Sequence, residues 1–141
     1  MKKPGNVEET AIAEDILYGN ETILFVEDEE EVCRFASESL VSLGYDVSKA
    51  HNGRKALELI KNDYQKFDLI ITDLIMPELN GKEFIDKVKQ FFPEVKAIYV
   101  SGYTDNHIVN NGLLEKGVNF IHKPYSIKTL AATVRKVLDA E

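Results

Sequence analysis

Short apolar runs alternate with amphipathic stretches along most of this chain, and that alternation restricts its fold more than any other feature. From Glu21 onward, Ile23–Val26 reads as a buried strand. Val32, Phe35, Ala36, Leu40 and Leu43 then keep helical spacing, and Gly44 supplies a stop. Tyr45–Ala50 is a second, more polar strand, and Asn52-Gly53 makes a turn that can cap a helix carrying Ala56, Leu57 and Ile60. Asp68–Thr72 is the third strand and the most apolar; the helix after it, Lys82–Phe92, stops at Pro93. Ala97–Val100 is the fourth strand, and Thr104 or Asp105 can cap the next helix, which ends by Gly117. Asn119–His122 is a short fifth strand. Ser126 caps a last helix with Ile127, Leu130, Ala131, Val134, Val137 and Leu138 on one stripe. Strand–helix units in strict alternation predict an α/β domain, a parallel sheet with helices on both faces. The helix over residues 105–116 is weak, because Asn110, Asn111 and Gly112 fall in its interior and Gly costs about 1 kcal/mol there relative to Ala. It reads either as a short, irregular helix or as an element that must shift easily.

At 141 residues the chain has room for one domain with a sizeable core. Residues 1–20 differ from the rest: Pro4, Gly5 and Asn6 and a Glu-rich stretch precede a weak apolar pattern ending at Gly19-Asn20. They read as a tail or interdomain linker, leaving residues 21–141 as the domain. A formal net charge of −7 argues against nucleic-acid binding by this chain alone and against an anionic membrane surface, since both need clustered Lys and Arg. No apolar run approaches the roughly 20 residues of a membrane span, and the two early lysines have no apolar stretch behind them. A single cysteine, Cys33, excludes an internal disulfide framework, fits a reducing cytoplasm and is expected in the core.

The polar residues fall where a parallel sheet binds ligands, outside the carboxyl ends of its strands. The first strand ends at Glu27-Asp28, the third at Asp73, and the fourth at Ser101-Gly102; Lys123-Pro124 follows the fifth. Three carboxylates at one crevice repel, and a hard divalent cation relieves that. Mg2+ takes oxygen ligands and is commonly bound by one or two carboxylates plus phosphate oxygens. A lysine is a point charge suited to phosphate, and a serine can donate to a phosphoryl oxygen. The set therefore points to phosphoryl chemistry, with Asp73 as nucleophile forming an aspartyl phosphate. The stretch "TDLIMPELNG" then makes sense: Asp73 stands at the mouth of a buried strand because something attacks from it.

The motifs "ILFVEDEE", "DLIITDLIMPELNG", "AIYVSGYT" and "FIHKPYS" together resemble the receiver domain of two-component response regulators, over roughly Glu21 to Leu138. The resemblance implies a flavodoxin-like, doubly wound five-stranded sheet of order 2-1-3-4-5. It also implies phosphorylation of Asp73 by a histidine kinase or histidine phosphotransfer protein. Asp28 and Asp73 would ligate Mg2+ through side chains, Ile75 through its backbone carbonyl, and Glu27 through water. Lys123 would pair with the phosphoryl group or Asp73, Ser101 would be the switch hydroxyl, and Phe120 the switch aromatic. The Lys123–Pro124 peptide is often cis in such domains. The output surface would be the fourth helix (residues 105–116), the fifth strand and the fifth helix, and a phosphorylation-dependent dimer is compatible with it. Glu27 departs from the commoner Asp. Bulky Ile75 and Tyr103 flank the line of water attack, which predicts slow self-dephosphorylation. The "GNETILFVEDEE" opening and "SGYT" resemble receivers fused to the C-terminus of hybrid sensor kinases; a single-domain regulator is the other setting.

Two other functions compete. A Mg2+-dependent phosphatase with an Asp nucleophile, similar to the haloacid dehalogenases, needs an acid two residues after it, where this chain has Ile75. A flavin-binding module of the same fold needs a small, donor-rich loop after the first strand, where "EDEEE" would repel phosphate. His51, His107 and His122 lack metal-like spacing.

Overall fold

The computed structural model of the chain describes residues 17–102 and 118–140. Tyr103, His107, the weak helix expected over 105–116 and most of the expected linker lie outside the described residues. Five strands, β1 (Thr22–Val26), β2 (Asp46–Ala50), β3 (Leu69–Asp73), β4 (Ala97–Ser101) and β5 (Phe120–His122), form one sheet. Its order is β2-β1-β3-β4-β5 and all its pairings are parallel. Among the described residues the helices are α1 (Glu30–Ser42), α2 (Gly53–Asn62), α3 (Gly81–Lys89) and α4 (Ile127–Asp139), the last being the helix capped by Ser126.

Alternation along the strands builds two cores. Ile23, Phe25, Ile71 and Val100 face α1 and α4, where Ala36, Leu40, Leu130 and Val134 meet them. Leu24, Val26, Ile70 and Tyr99 face α2 and α3, against Ala56, Ile60, Phe84 and Val88. β3 is buried along its whole length, as the central strand of such a sheet must be. Cys33 is buried in the first core.

The helix starts are set locally. The Asn52 side chain accepts from the Lys55 amide at 2.8 Å and that of Ser126 from the Thr129 amide at 3.1 Å. Asn80 and Glu83 form a reciprocal capping box at the start of α3. The strands differ from expectation by no more than a single residue at either end, β3 running to Asp73 instead of Thr72, and two larger differences stand out. A short 3-10 turn, Tyr64–Lys66, precedes β3. α3 ends at Lys89 instead of Phe92: the Phe91 and Phe92 amides both donate to Val88 O in a closing turn. Pro93 disfavours helical backbone at the residue before it, so the helix tightens and stops early. Phe91 and Phe92 then pack against Tyr64, with ring centroids 5.8 and 5.1 Å away.

Candidate functional site

The carboxyl rim of the sheet gathers the polar residues. Asp73, the last residue of β3, is only 6% exposed. The chain continues pairing for one residue, Leu74 N donating to Val100 O at 2.8 Å, then turns. Leu74 and Met76 insert into the α2/α3 core, while Ile75 between them is 41% exposed. The Ile75 amide lies 3.4 Å from Asp73 Oδ1. Gly81 closes this loop: its amide donates to Leu74 O at 2.8 Å, and a Cβ there would lie 2.4 Å from Asp73 O. The glycine eight residues after Asp73 is thus required by the backbone that presents the carboxylate.

From β1, Glu27 is buried and Asp28 exposed. Lys123, just after β5, reaches across with Nζ at 2.8 Å from Glu27 Oε1, 3.2 Å from Asp73 Oδ2 and 3.3 Å from Glu29 Oε1. The Glu29 amide donates to Glu27 Oε2 at 3.1 Å. Ser101, the buried last residue of β4, lines the same cleft with Asp28, Glu29, Asp73, Ile75, Gly102 and Lys123. The Lys123–Pro124 peptide is cis.

Burial dominates the electrostatics. It pushes the Glu27 carboxyl up to about 7, with the Asp73 charge adding to that and the Lys123 hydrogen bond opposing it. Burial likewise raises Asp73 above the ordinary carboxylate range against the pull of Lys123. Burial alone would lower Lys123, but Glu27 and Asp73 hold it above its ordinary value, so it stays charged. One carboxylate oxygen each from Glu27, Asp28 and Asp73 lies within 4.8 Å of the others. Clustered hard oxygen donors with excess negative charge fit Mg2+.

Six of the expected site residues, Glu27, Asp28, Asp73, Ile75, Ser101 and Lys123, therefore converge on one rim. Phe120 does not touch that cleft. It opens β5 opposite Tyr99, packs on the α2/α3 core, and has its ring 4.8 Å from that of His122. Three features were not anticipated. Glu29 holds Lys123, yet its place in an acidic run gives no sign of that. Gly81 has a backbone role that its spacing from Asp73 hints at. An apolar groove lined by Val32, Phe35, Pro124 and Tyr125 adjoins Lys123, and among the described residues the buried Tyr125 hydroxyl has no hydrogen-bond partner. It joins α1 to the segment after β5, a contact that exists only once the sheet has formed.

Residues 23–135 match the response regulator receiver domain family. Sensor kinase CckA of Brucella abortus is 34% identical over 125 residues, 89% of this chain but only 13% of that kinase. Response regulator receiver protein CpdR of the same organism is 27% identical over 84% of this chain and 97% of its own length. Response regulator ArlR of Staphylococcus aureus is 33% identical over 82% of this chain, which spans 52% of ArlR. Among solved structures, the receiver domain of hybrid histidine kinase CckA has TM-score 0.71 at 36% identity, covering 83% of this chain and 98% of that one. Chemotaxis response regulator CheY4 of Vibrio cholerae has TM-score 0.74 at 26% identity, covering 84% and 99%.

Proposed function

The chain belongs to the response regulator receiver domain family, and from that premise we propose that Asp73 accepts a phosphoryl group and switches a signalling surface. The observation that carries this is Asp73 held at the rim of β3, 3.2 Å from the Lys123 ammonium and beside Glu27 and Asp28. The donor is a phosphohistidine of a histidine kinase or phosphotransfer protein. An Asp73 carboxylate oxygen forms the new O–P bond, the donor's P–N bond breaks, and its electron pair returns to the imidazole. Asp28 and Asp73 would hold Mg2+ through side chains, Ile75 through its carbonyl, and Glu27 through water. The ion supplies neutralisation of charge on the transferring group. Lys123 adds a fixed positive charge, kept by its carboxylate partners. The groove of Val32, Phe35, Pro124 and Tyr125 beside Lys123 supports contact with the donor protein there.

After transfer, Ser101 turns toward the phosphoryl oxygen and Phe120 follows. The surface that changes comprises residues 105–116, β5 and α4, and it can serve a phosphorylation-dependent dimer. The domain occupies residues 21–141, with the preceding segment as linker, and works in the cytoplasm. Among the described residues no helix is long and apolar enough to cross a membrane. The match to a kinase's receiver supports an origin within a larger sensor protein. The phosphatase reading lacks its acid, because Ile75 stands two residues after Asp73.

The test is intact mass after incubation with Mg2+ and acetyl phosphate. One added phosphoryl group, lost in Asp73→Asn and without metal, is expected; addition that survives Asp73→Asn refutes the assignment. Ile75, exposed beside Asp73, further supports slow self-dephosphorylation. Replacing Ile75 by Asn and Tyr103 by Glu shortens the phosphorylated half-life on this reading; an unchanged half-life removes it.

A further inference from the structure

The amino end of the sheet, opposite Asp73, carries a built contact that phosphoryl chemistry does not use. Leu17–Glu21 precedes β1 and lies against the α1–β2 turn and α4. Two glycines meet there. Gly44 has φ of 107°, and a Cβ on it would lie 2.2 Å from Gly19 O. A Cβ on Gly19 would lie 2.3 Å from Tyr45 Cε1 and 2.6 Å from Arg135 Nη1. Gly44 is thus required by its positive φ and by the Gly19 backbone, while Gly19 lets the Tyr45 ring and the Arg135 guanidinium close over it. The Gly19 amide donates to Leu43 O at 3.1 Å, and Leu17 packs on the α1/α4 core.

Arg135 of α4 closes the seat. Its Nη1 donates to Glu21 Oε1 at 2.8 Å and to Tyr45 Oη at 3.2 Å. The same guanidinium also pairs with Asp139, one turn further along α4. Arg135 therefore has a partner on its own helix that it keeps if Glu21 leaves. Releasing the segment strands no buried cation, which is the usual reason a buried contact is costly to open. The seat is at once specific and releasable.

α4 connects this seat to the phosphoryl site. It begins at Ile127, four residues after Lys123, and its 13 residues make a rod about 20 Å long. Lys123 holds one end through Glu27 and Asp73; Arg135 holds the other through Glu21. We propose that Leu17–Glu21 is a strap whose grip on α4 responds to occupancy of Asp73, so that the chain preceding Leu17 and the phosphoryl site are coupled through this helix. This rests on the phospho-acceptor reading above.

The test is amide hydrogen exchange on the full chain, read at Gly19 with and without Mg2+ and beryllofluoride, alongside chemical shifts of Asp73–Ile75. In the free protein the Gly19 amide is expected to be protected, and Gly19→Ala to lower protection of the residue 19 amide by about tenfold with sheet amides unchanged. Beryllofluoride is expected to change Gly19 protection several-fold in the wild type and not in Asp73→Asn. An unprotected Gly19 amide in the free protein overturns the seat. Unchanged protection while the Asp73–Ile75 shifts move overturns the coupling and leaves the phospho-acceptor reading standing. If those shifts do not move either, the phospho-acceptor reading fails and the strap's regulatory role falls with it.

Discussion

The two ends of the sheet hold carboxylates in opposite ways. At the carboxyl end, Glu27 and Asp73 are buried around one lysine, and burial holds both above the ordinary carboxylate range. At the amino end, Glu21 and Asp139 share one arginine, and its hydrogen bonds hold both below that range. Lys123 offers a point charge to three carboxylates, which leaves negative charge in excess. Arg135 makes four donations, two to Asp139 and one each to Glu21 and the Tyr45 hydroxyl, so each carboxylate has a charged partner. The difference separates a functional charge cluster from a structural one. The first keeps more buried negative charge than its one lysine balances, which a bound cation would offset; the second has its carboxylates paired by Arg135.

Removing the cation at each end should therefore give different results. Lys123→Ala leaves Glu27 and Asp73 buried without their counter-charge and is expected to cost about 3 kcal/mol in chelator-treated buffer. Added Mg2+ should recover a large part of that. Urea unfolding with and without metal reads it, and a loss that metal does not touch would break the contrast. Asp73→Asn should go the other way: removing one of two crowded carboxylates is expected to raise stability by about 1–2 kcal/mol, the usual cost of a functional site. A lower urea midpoint would show that Asp73 is a structural partner of Lys123.

Arg135→Ala removes hydrogen bonds to Glu21 and Tyr45 and is expected to lower stability by about 1 kcal/mol, insensitive to Mg2+. The smallest effect is in pH. The folded-state pKa of Glu21 is depressed, chiefly by the Arg135 hydrogen bond. Its contribution is therefore present above its unfolded value and is lost as pH falls through the folded one. Wild type minus Arg135→Ala stability should shrink by a few tenths of a kcal/mol on acidification below about pH 4.5. A difference that grows on acidification would refute the pairing.

The sequence by itself determined the alternation of strands and helices, because burial on both faces of a parallel sheet demands apolar runs, and the starts of α2 and α4 carry their own side-chain caps. It also marked Asp28, Asp73, Ser101 and Lys123, because polar residues at strand ends have no packing reason to be there. Asn80 went unread, although its capping box with Glu83 is local. Tertiary structure decided what depends on contacts between distant segments. Glu29 reads as one acid in a run until Lys123, 94 residues later, folds over it. Gly44 reads as a helix stop, and Gly19 as part of a tail, until their backbones meet. Arg135 reads as a polar position on an amphipathic helix until β1 brings Glu21 within 2.8 Å. Spacing along a chain encodes what neighbours do through the helix and strand periods, but the closeness of residues a hundred positions apart is created only when the sheet assembles.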